Sequence, residues 1–151
     1  MHSQKLIQSL LSQMPARLPG VVRLGMDLVH VPRIEHSLRD FGSRFTRKLF
    51  TDAEIAYAQG SPTEQAARLA ARFAAKEASI KALSLSDAGV NWREMEVQRA
   101  PDGGCTLVLH GKALEAARAL RISSVLVCLS HDGDYAAAVV AVLSDTVEPH
   151  G

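Results

Sequence analysis

The apolar positions of the chain follow two periods. In the first half they recur every three or four residues, as helices require; in the last third they alternate or run together, as strands do. Leu6, Ile7, Leu10, Leu11 and Met14 share one stripe and predict an amphipathic helix over 3–14. Pro15 and the Pro19-Gly20 pair then break the chain. Residues 21–29, VVRLGMDLV, read as a strand in which Asp27 is the odd member. A carboxylate among apolar strand residues is costly to bury unless it is paired or binds a cation. The alternative is a strand-end aspartate facing water or capping a turn. A helix follows, with Pro32 tolerated in its first turn. Arg33, Arg39 and Arg44 lie along this segment, either as a solvated basic face or as a docking patch for an acidic partner.

TDAE, residues 51–54, is a capping box with Thr51 as N-cap and Glu54 at N3, opening a short helix through Tyr57. SPTE, residues 61–64, has the same form, with Ser61 as cap, Pro62 at N1 and Glu64 at N3. It predicts a long helix running through Leu83, with Leu69, Phe73, Ile80 and Leu83 in its buried stripe. EMEVQRA and CTLVLH then alternate as strands around PDGG. KALEAARAL is helical, and SVLVCLS and YAAAVVAVL are apolar strands joined by the polar turn HDGD. The expected fold class is α+β, a mostly antiparallel sheet packed against the long helix. The expected organisation is a helical extension and linker over 1–20, one domain over 21–144 and a frayed tail over 145–151.

Composition narrows the possibilities. The chain has 151 residues, 47% of them hydrophobic and 22% charged, which suits one globular domain. A formal net charge of +1 gives no general signal for nucleic acid, so any basic function must come from a local patch. No apolar run approaches the ~20 residues of a membrane span. Cys105 and Cys128 lie far apart with no CxxC, which argues against zinc and for reduced thiols in a cytoplasmic setting.

The segment RFAAKEASIKA, residues 72–82, crowds Arg72, Lys76, Glu77 and Lys81 onto a helix otherwise rich in alanine. At 3.6 residues per turn Arg72 and Lys76 point the same way, and Glu77 and Lys81 form an i,i+4 pair on an adjacent face. A surface helix with one salt bridge accounts for that pattern. A buried Glu77 meeting Asp27 accounts for it differently, because two facing carboxylates demand a proton or a cation. Carboxylate and phosphate oxygens together suit magnesium, and nearby cations suit phosphate.

Four segments, GMDLVHVPRIE (25–35), FTDAEIAY (50–57), RFAAKEASIKAL (72–83) and LSHDGDYAAAVVAV (129–142), resemble the holo-acyl-carrier-protein synthase family in type and order. This is the small type of 4′-phosphopantetheinyl transferase, and the resemblance covers about residues 21–143. It implies transfer of the phosphopantetheine arm of coenzyme A to a serine of an apo acyl carrier protein, with release of 3′,5′-ADP. It implies that Asp27 and Glu77 ligate magnesium beside the coenzyme A pyrophosphate and that Lys81 contacts phosphate; together these three are the expected catalytic set. Arg72 and His131 match positions near the coenzyme A phosphates, and Lys76 on the face of Arg72 is grouped with them as a coenzyme A ligand. Arg33, with Arg39 and Arg44, matches a basic helix that docks the acidic carrier protein. The family works as a trimer with sites between subunits. A non-catalytic carrier-binding relative and a magnesium-dependent nucleotide phosphohydrolase are the rival readings. Two features depart from the family. A glycine-rich turn after the long helix is replaced by SLSDAGVNW, residues 84–92, where Ser84 and Ser86 offer hydroxyls instead. Residues 1–20 form an unusual extension.

Overall fold

In a computed structural model, described here for residues 2–14 and 20–144 with side chains from Gln4 onward, five antiparallel strands form one sheet with helices on both faces. The expected break at Pro15 and Pro19 and the tail after Ser144 lie outside the described residues. The elements run α1 (His2–Gln13), β1 (Val21–His30), α2 (Val31–Phe41), α3 (Ser43–Leu49), α4 (Asp52–Gln59) and α5 (Gln65–Leu83), followed by a 3-10 turn at Trp92–Glu94. Then come β2 (Met95–Arg99), β3 (Cys105–Leu109), α6 (Gly111–Ala119), β4 (Ser124–Asp132) and β5 (Tyr135–Leu143). The strand order is β1-β5-β4-β3-β2, so the strand carrying Asp27 is an edge strand.

Strand parity sorts the two faces. On β5, Ala136, Ala138, Val140 and Val142 belong to the main core with the α5 alanines, whereas Ala137 faces the other way, with Leu6, Leu10 and Cys128. Leu6 and Leu10 of the α1 stripe therefore cover the outer face of β4 and β5, with Met14 packed beside them, while Ile7 and Leu11 stay exposed. On β1 the same parity puts Val29 in the main core, while Leu24, Met26 and Leu28, opposite Ala141, Val139 and Ala137, lie on the outer face and stay exposed. Gly25 lets β1 approach α5 closely: a Cβ there would lie 2.1 Å from the Ala78 carbonyl oxygen.

Local signals account for most boundaries, and two differ. The capping box of Thr51 and Glu54 forms in full at α4. The one at Ser61 does not: 62–64 form a turn, Glu64 donates its backbone N–H to the Ser61 carbonyl at 3.1 Å, and α5 begins at Gln65 with no side-chain cap. The arginine-bearing helix is also two helices, because Gly42, at φ 52 and ψ −127, breaks it and leaves Arg44 on α3. The sheet is uneven. β3 meets β4 at one pair, Thr106 opposite Leu126, whereas β4 and β5 pair along their whole length.

Candidate functional site

Strand β1 and helix α5 bring the two carboxylates singled out in the sequence to one place. Asp27 and Glu77 line the same cavity, of about 450 Å³, together with Arg33 of α2 and Phe73 of α5. The Lys81 ammonium donates to Asp27 Oδ1 at 3.1 Å and to the Met26 carbonyl at 3.2 Å. It thus reaches across to β1 instead of pairing with Glu77 along its own helix. Burial raises the Glu77 carboxyl above its ordinary value, and the charge of Asp27 raises it further; Lys81 and Arg33 act in the opposite sense. Two acids that feel each other in a half-buried cavity form a site that gains from an added cation. Among the described residues no group of three or more His, Cys, Asp or Glu side chains could hold a metal alone. The donor set is therefore a pair of carboxylates needing oxygens from elsewhere, which fits magnesium bound jointly by protein, water and phosphate.

A second cavity, of about 310 Å³, lies against Tyr57, Arg68, Arg72, Arg99 and His131. Three guanidinium groups surround the Tyr57 ring, at 4.4 Å for Arg68, 4.1 Å for Arg72 and 5.4 Å for Arg99 from its centre. Arg68 also donates to the Tyr57 carbonyl at 2.8 Å and pairs with Glu64 at 3.3 Å, and Arg99 donates to the Tyr57 hydroxyl. Arg72 is only 4% exposed. Its Nη1 donates to the Arg68 carbonyl at 3.2 Å, while its buried Nε has no partner. Burial lowers the pKa of this guanidinium, yet an arginine stays charged. A buried cationic group with a spare donor is a site for an anion with several acceptor oxygens. His131 lies on β4, opposite Ala136, rather than in the turn expected for it.

Arg72 and Glu77 face different cavities because they are five residues apart on α5, which turns them roughly 140° from each other at about 100° per residue.

Lys76 does not belong with either set. Its Nζ is fully buried and donates to Glu54 Oε1 at 2.8 Å, the Trp92 carbonyl at 3.0 Å and the Met95 carbonyl at 2.6 Å. All three ammonium donors are used, so its expected role as a coenzyme A ligand is corrected to a structural one joining α4, α5 and β2. Ser84 takes the left-handed helix-ending conformation at φ 55 that a glycine would favour. Its hydroxyl accepts from Arg23 Nη1 at 2.7 Å and is thereby engaged within the chain.

Tyr57, Arg68 and Arg99 were not singled out from the sequence as site residues. The i,i+4 spacing of Arg68 and Arg72 could have found the first arginine. Nothing local marks Arg99, which arrives through the pairing of β2.

The fold is that of a phosphopantetheinyl-transferring enzyme class: the chain belongs to the 4′-phosphopantetheinyl transferase superfamily, whose family model matches residues 23–140. Within that superfamily its relatives are holo-[acyl-carrier-protein] synthases. The one from Koribacter versatilis is 44% identical over 126 residues, covering 83% of this chain and 99% of that one. The one from Gloeobacter violaceus is 41% identical, covering 80% and 92%. Among solved structures, the Helicobacter pylori holo-[acyl-carrier-protein] synthase in complex with coenzyme A superposes with a TM-score of 0.69 at 27% identity, covering 79% of this chain and 98% of that chain. The Chronobacterium ammoniagenes complex with coenzyme A has a TM-score of 0.69 at 34% identity, covering 81% and 96%. Among the described residues no helix is long and apolar enough to cross a membrane.

Proposed function

We propose that this enzyme transfers the 4′-phosphopantetheine arm of coenzyme A to a serine of an acidic apo acyl carrier protein, releasing 3′,5′-ADP and depending on magnesium. The observation that carries this reading is the convergence of Asp27 and Glu77 in one cavity, with the Lys81 ammonium on Asp27. Coenzyme A has two anionic parts, a diphosphate and a 3′-phosphomonoester. The carboxylate cavity suits the diphosphate with magnesium. The arginine cavity, with Arg72 and His131, suits the 3′-phosphate.

Asp27 and Glu77 are the residues to hold the metal, which when bound neutralises the diphosphate and eases departure of the leaving group. Lys81 holds Asp27 in place and adds positive charge beside the diphosphate. The serine oxygen forms a bond to the phosphorus that bears the pantetheine arm. The bond from that phosphorus to the bridging oxygen breaks, and 3′,5′-ADP leaves with the electron pair. The serine proton passes to Glu77 or to a water that Glu77 orients.

One copy of the chain presents the two cavities on different sides of α5, so a single coenzyme A would meet both most simply between two copies. The exposed β1 stripe of Leu24, Met26 and Leu28 offers such a contact and supports a trimer. The free Cys105 and Cys128 suit a reducing compartment, the cytoplasm.

Intact mass of an apo acyl carrier protein, incubated with this protein, coenzyme A and magnesium, tests the reading. The expected result is a gain of one phosphopantetheine arm that EDTA abolishes. Release of 3′,5′-ADP without carrier protein would instead identify a hydrolase. No gain across several apo carriers would leave a non-catalytic relative.

A further inference from the structure

The arginine cavity has a wall that the family match does not include. That match begins at residue 23, whereas Ser9 and Gln13 of α1 line the cavity. The Gln13 amide is bound at both ends to one residue of β4. Its Nε2 donates to the Leu129 carbonyl at 2.7 Å, and its Oε1 accepts from the Leu129 N–H at 3.0 Å. It does for β4 what a neighbouring strand does elsewhere, at a place where β3 has already parted from β4. The next two residues are Ser130 and His131, and both line the cavity. Ser9 lies one turn earlier on α1, half-buried, with its carbonyl accepting from Gln13 Nε2 at 3.1 Å. Leu6 and Leu10 anchor the helix against Cys128 and Ala137.

The chemistry of the cavity gives this wall a purpose. Arg68, Arg72 and Arg99 converge on one tyrosine, and the only carboxylate ion-paired with any of them among the described residues is the half-exposed Glu64. The buried Arg72 Nε still lacks an acceptor. A phosphomonoester supplies both the charge and the oxygens. We propose that α1 is a working wall of this anion pocket, in which Gln13 is a positioning residue that holds Ser130 and His131 in reach of the phosphate and Ser9 borders the phosphate directly. The proposal rests on the reading of this cavity as the coenzyme A 3′-phosphate site. It makes the extension a determinant of how tightly the nucleotide end is held.

Equilibrium calorimetry on the full-length protein, with coenzyme A and with the same molecule lacking its 3′-phosphate, tests the proposal without requiring turnover. Gln13→Ala is expected to weaken coenzyme A binding roughly tenfold, in line with the loss of a residue that orients a ligand-binding group, and to leave binding of the dephosphorylated form unchanged. Gln13→Glu is expected to weaken it more, because it keeps the acceptor for Leu129 N–H, loses the donor and adds negative charge. Ser9→Asp keeps the glutamine, although the Ser9 hydroxyl also accepts from Gln13 Nε2 at 3.4 Å, and the added charge on the cavity wall should weaken coenzyme A selectively, which keeps the test decisive if Gln13→Ala does not fold. Wild-type affinity in both Gln13→Ala and Ser9→Asp overturns the proposal, as does an equal loss for both ligands, the mark of general damage. A wild-type protein that binds both ligands alike would overturn the 3′-phosphate reading itself, and the role of α1 with it.

Discussion

The Lys76 ammonium sits 2.8 Å from Glu54 Oε1, with both side chains wholly out of water. Glu54 does three things at once. Its Oε1 closes the capping box on the Thr51 N–H and meets Lys76, and its Oε2 accepts from the Val97 N–H at 3.1 Å. Removing one partner strands the other charge in the core. Lys76→Met is therefore expected to destabilise the fold by about 3–5 kcal/mol, measured by urea titration. The double change Glu54→Gln/Lys76→Met should cost less than the sum of the single changes, since it removes both charges together. Folded Lys76→Met protein should retain its affinity for coenzyme A, and a selective loss of that affinity would return Lys76 to the binding site.

Gly25 sets the spacing on which the carboxylate cavity depends. A Cβ at this position would run into the Ala78 backbone and come within 3.0 Å of the Ala82 Cβ, and neither neighbour is the end of a flexible group. Gly25→Ala is expected to push β1 off α5 and to cost at least the ~1–3 kcal/mol of ordinary overpacking. It should also lower turnover by separating Asp27 from Glu77 and Lys81. A variant with wild-type thermal stability and kcat would show that the strand and helix are less tightly joined than this contact requires.

Glu96 links pH to stability away from the proposed metal ligands. Burial alone would raise its carboxyl, but hydrogen bonds from Thr51, Gln98 and His110, with the charge of His110, hold it below the ordinary value of 4.5. The unfolded chain therefore takes up a proton at higher pH than the folded one. The stabilisation is complete above pH 4.5 and is lost as pH falls through the folded value. Glu96→Gln is expected to be less stable than wild type near neutrality and to lose less stability on acidification. Parallel urea midpoints for the two proteins as pH falls would refute the linkage.

The periodicity of the chain was enough to predict the α+β class and nearly every element, because apolar spacing and turn residues act locally. It was not enough to separate Lys76 from Lys81. Both are lysines on one helix, five residues apart, and only the placement of α4 and β1 sends one into the core and the other to Asp27. The convergence of Asp27 and Glu77 depends on the parity of β1 and the rotation of α5 together, which the residues suggested without deciding. The family resemblance supplied the pairing. Arg99 and Gln13 were beyond local reading, since each reaches the arginine cavity only through distant chain contacts. At Ser61 a well-formed capping sequence failed because the chain turns once more before α5 starts, a case of tertiary context overriding a local signal.

The three arginines grouped as a docking face are not equivalent, and this separates their expected effects. Arg33 borders the cavity of Asp27 and Glu77, and its charge lowers the proton affinity of Glu77. Arg39 lies on the last turn of α2, with Nη2 3.2 Å from His36 Nδ1, and Arg44 stands on α3 beyond the Gly42 break. Charge reversal at Arg39 or Arg44 should raise the KM for an acidic carrier protein, by roughly tenfold where like charges meet, and leave the KM for coenzyme A unchanged. Arg33→Glu should raise both, because it also places a third carboxylate beside the proposed metal pair. All three arginines are exposed, so added salt should shrink the effect of each on the carrier protein. Steady-state kinetics with each substrate varied in turn distinguishes the cases. Equal changes in both KM values for Arg39→Glu would remove it from the docking face, and an unchanged carrier KM for all three would place that face elsewhere on the protein.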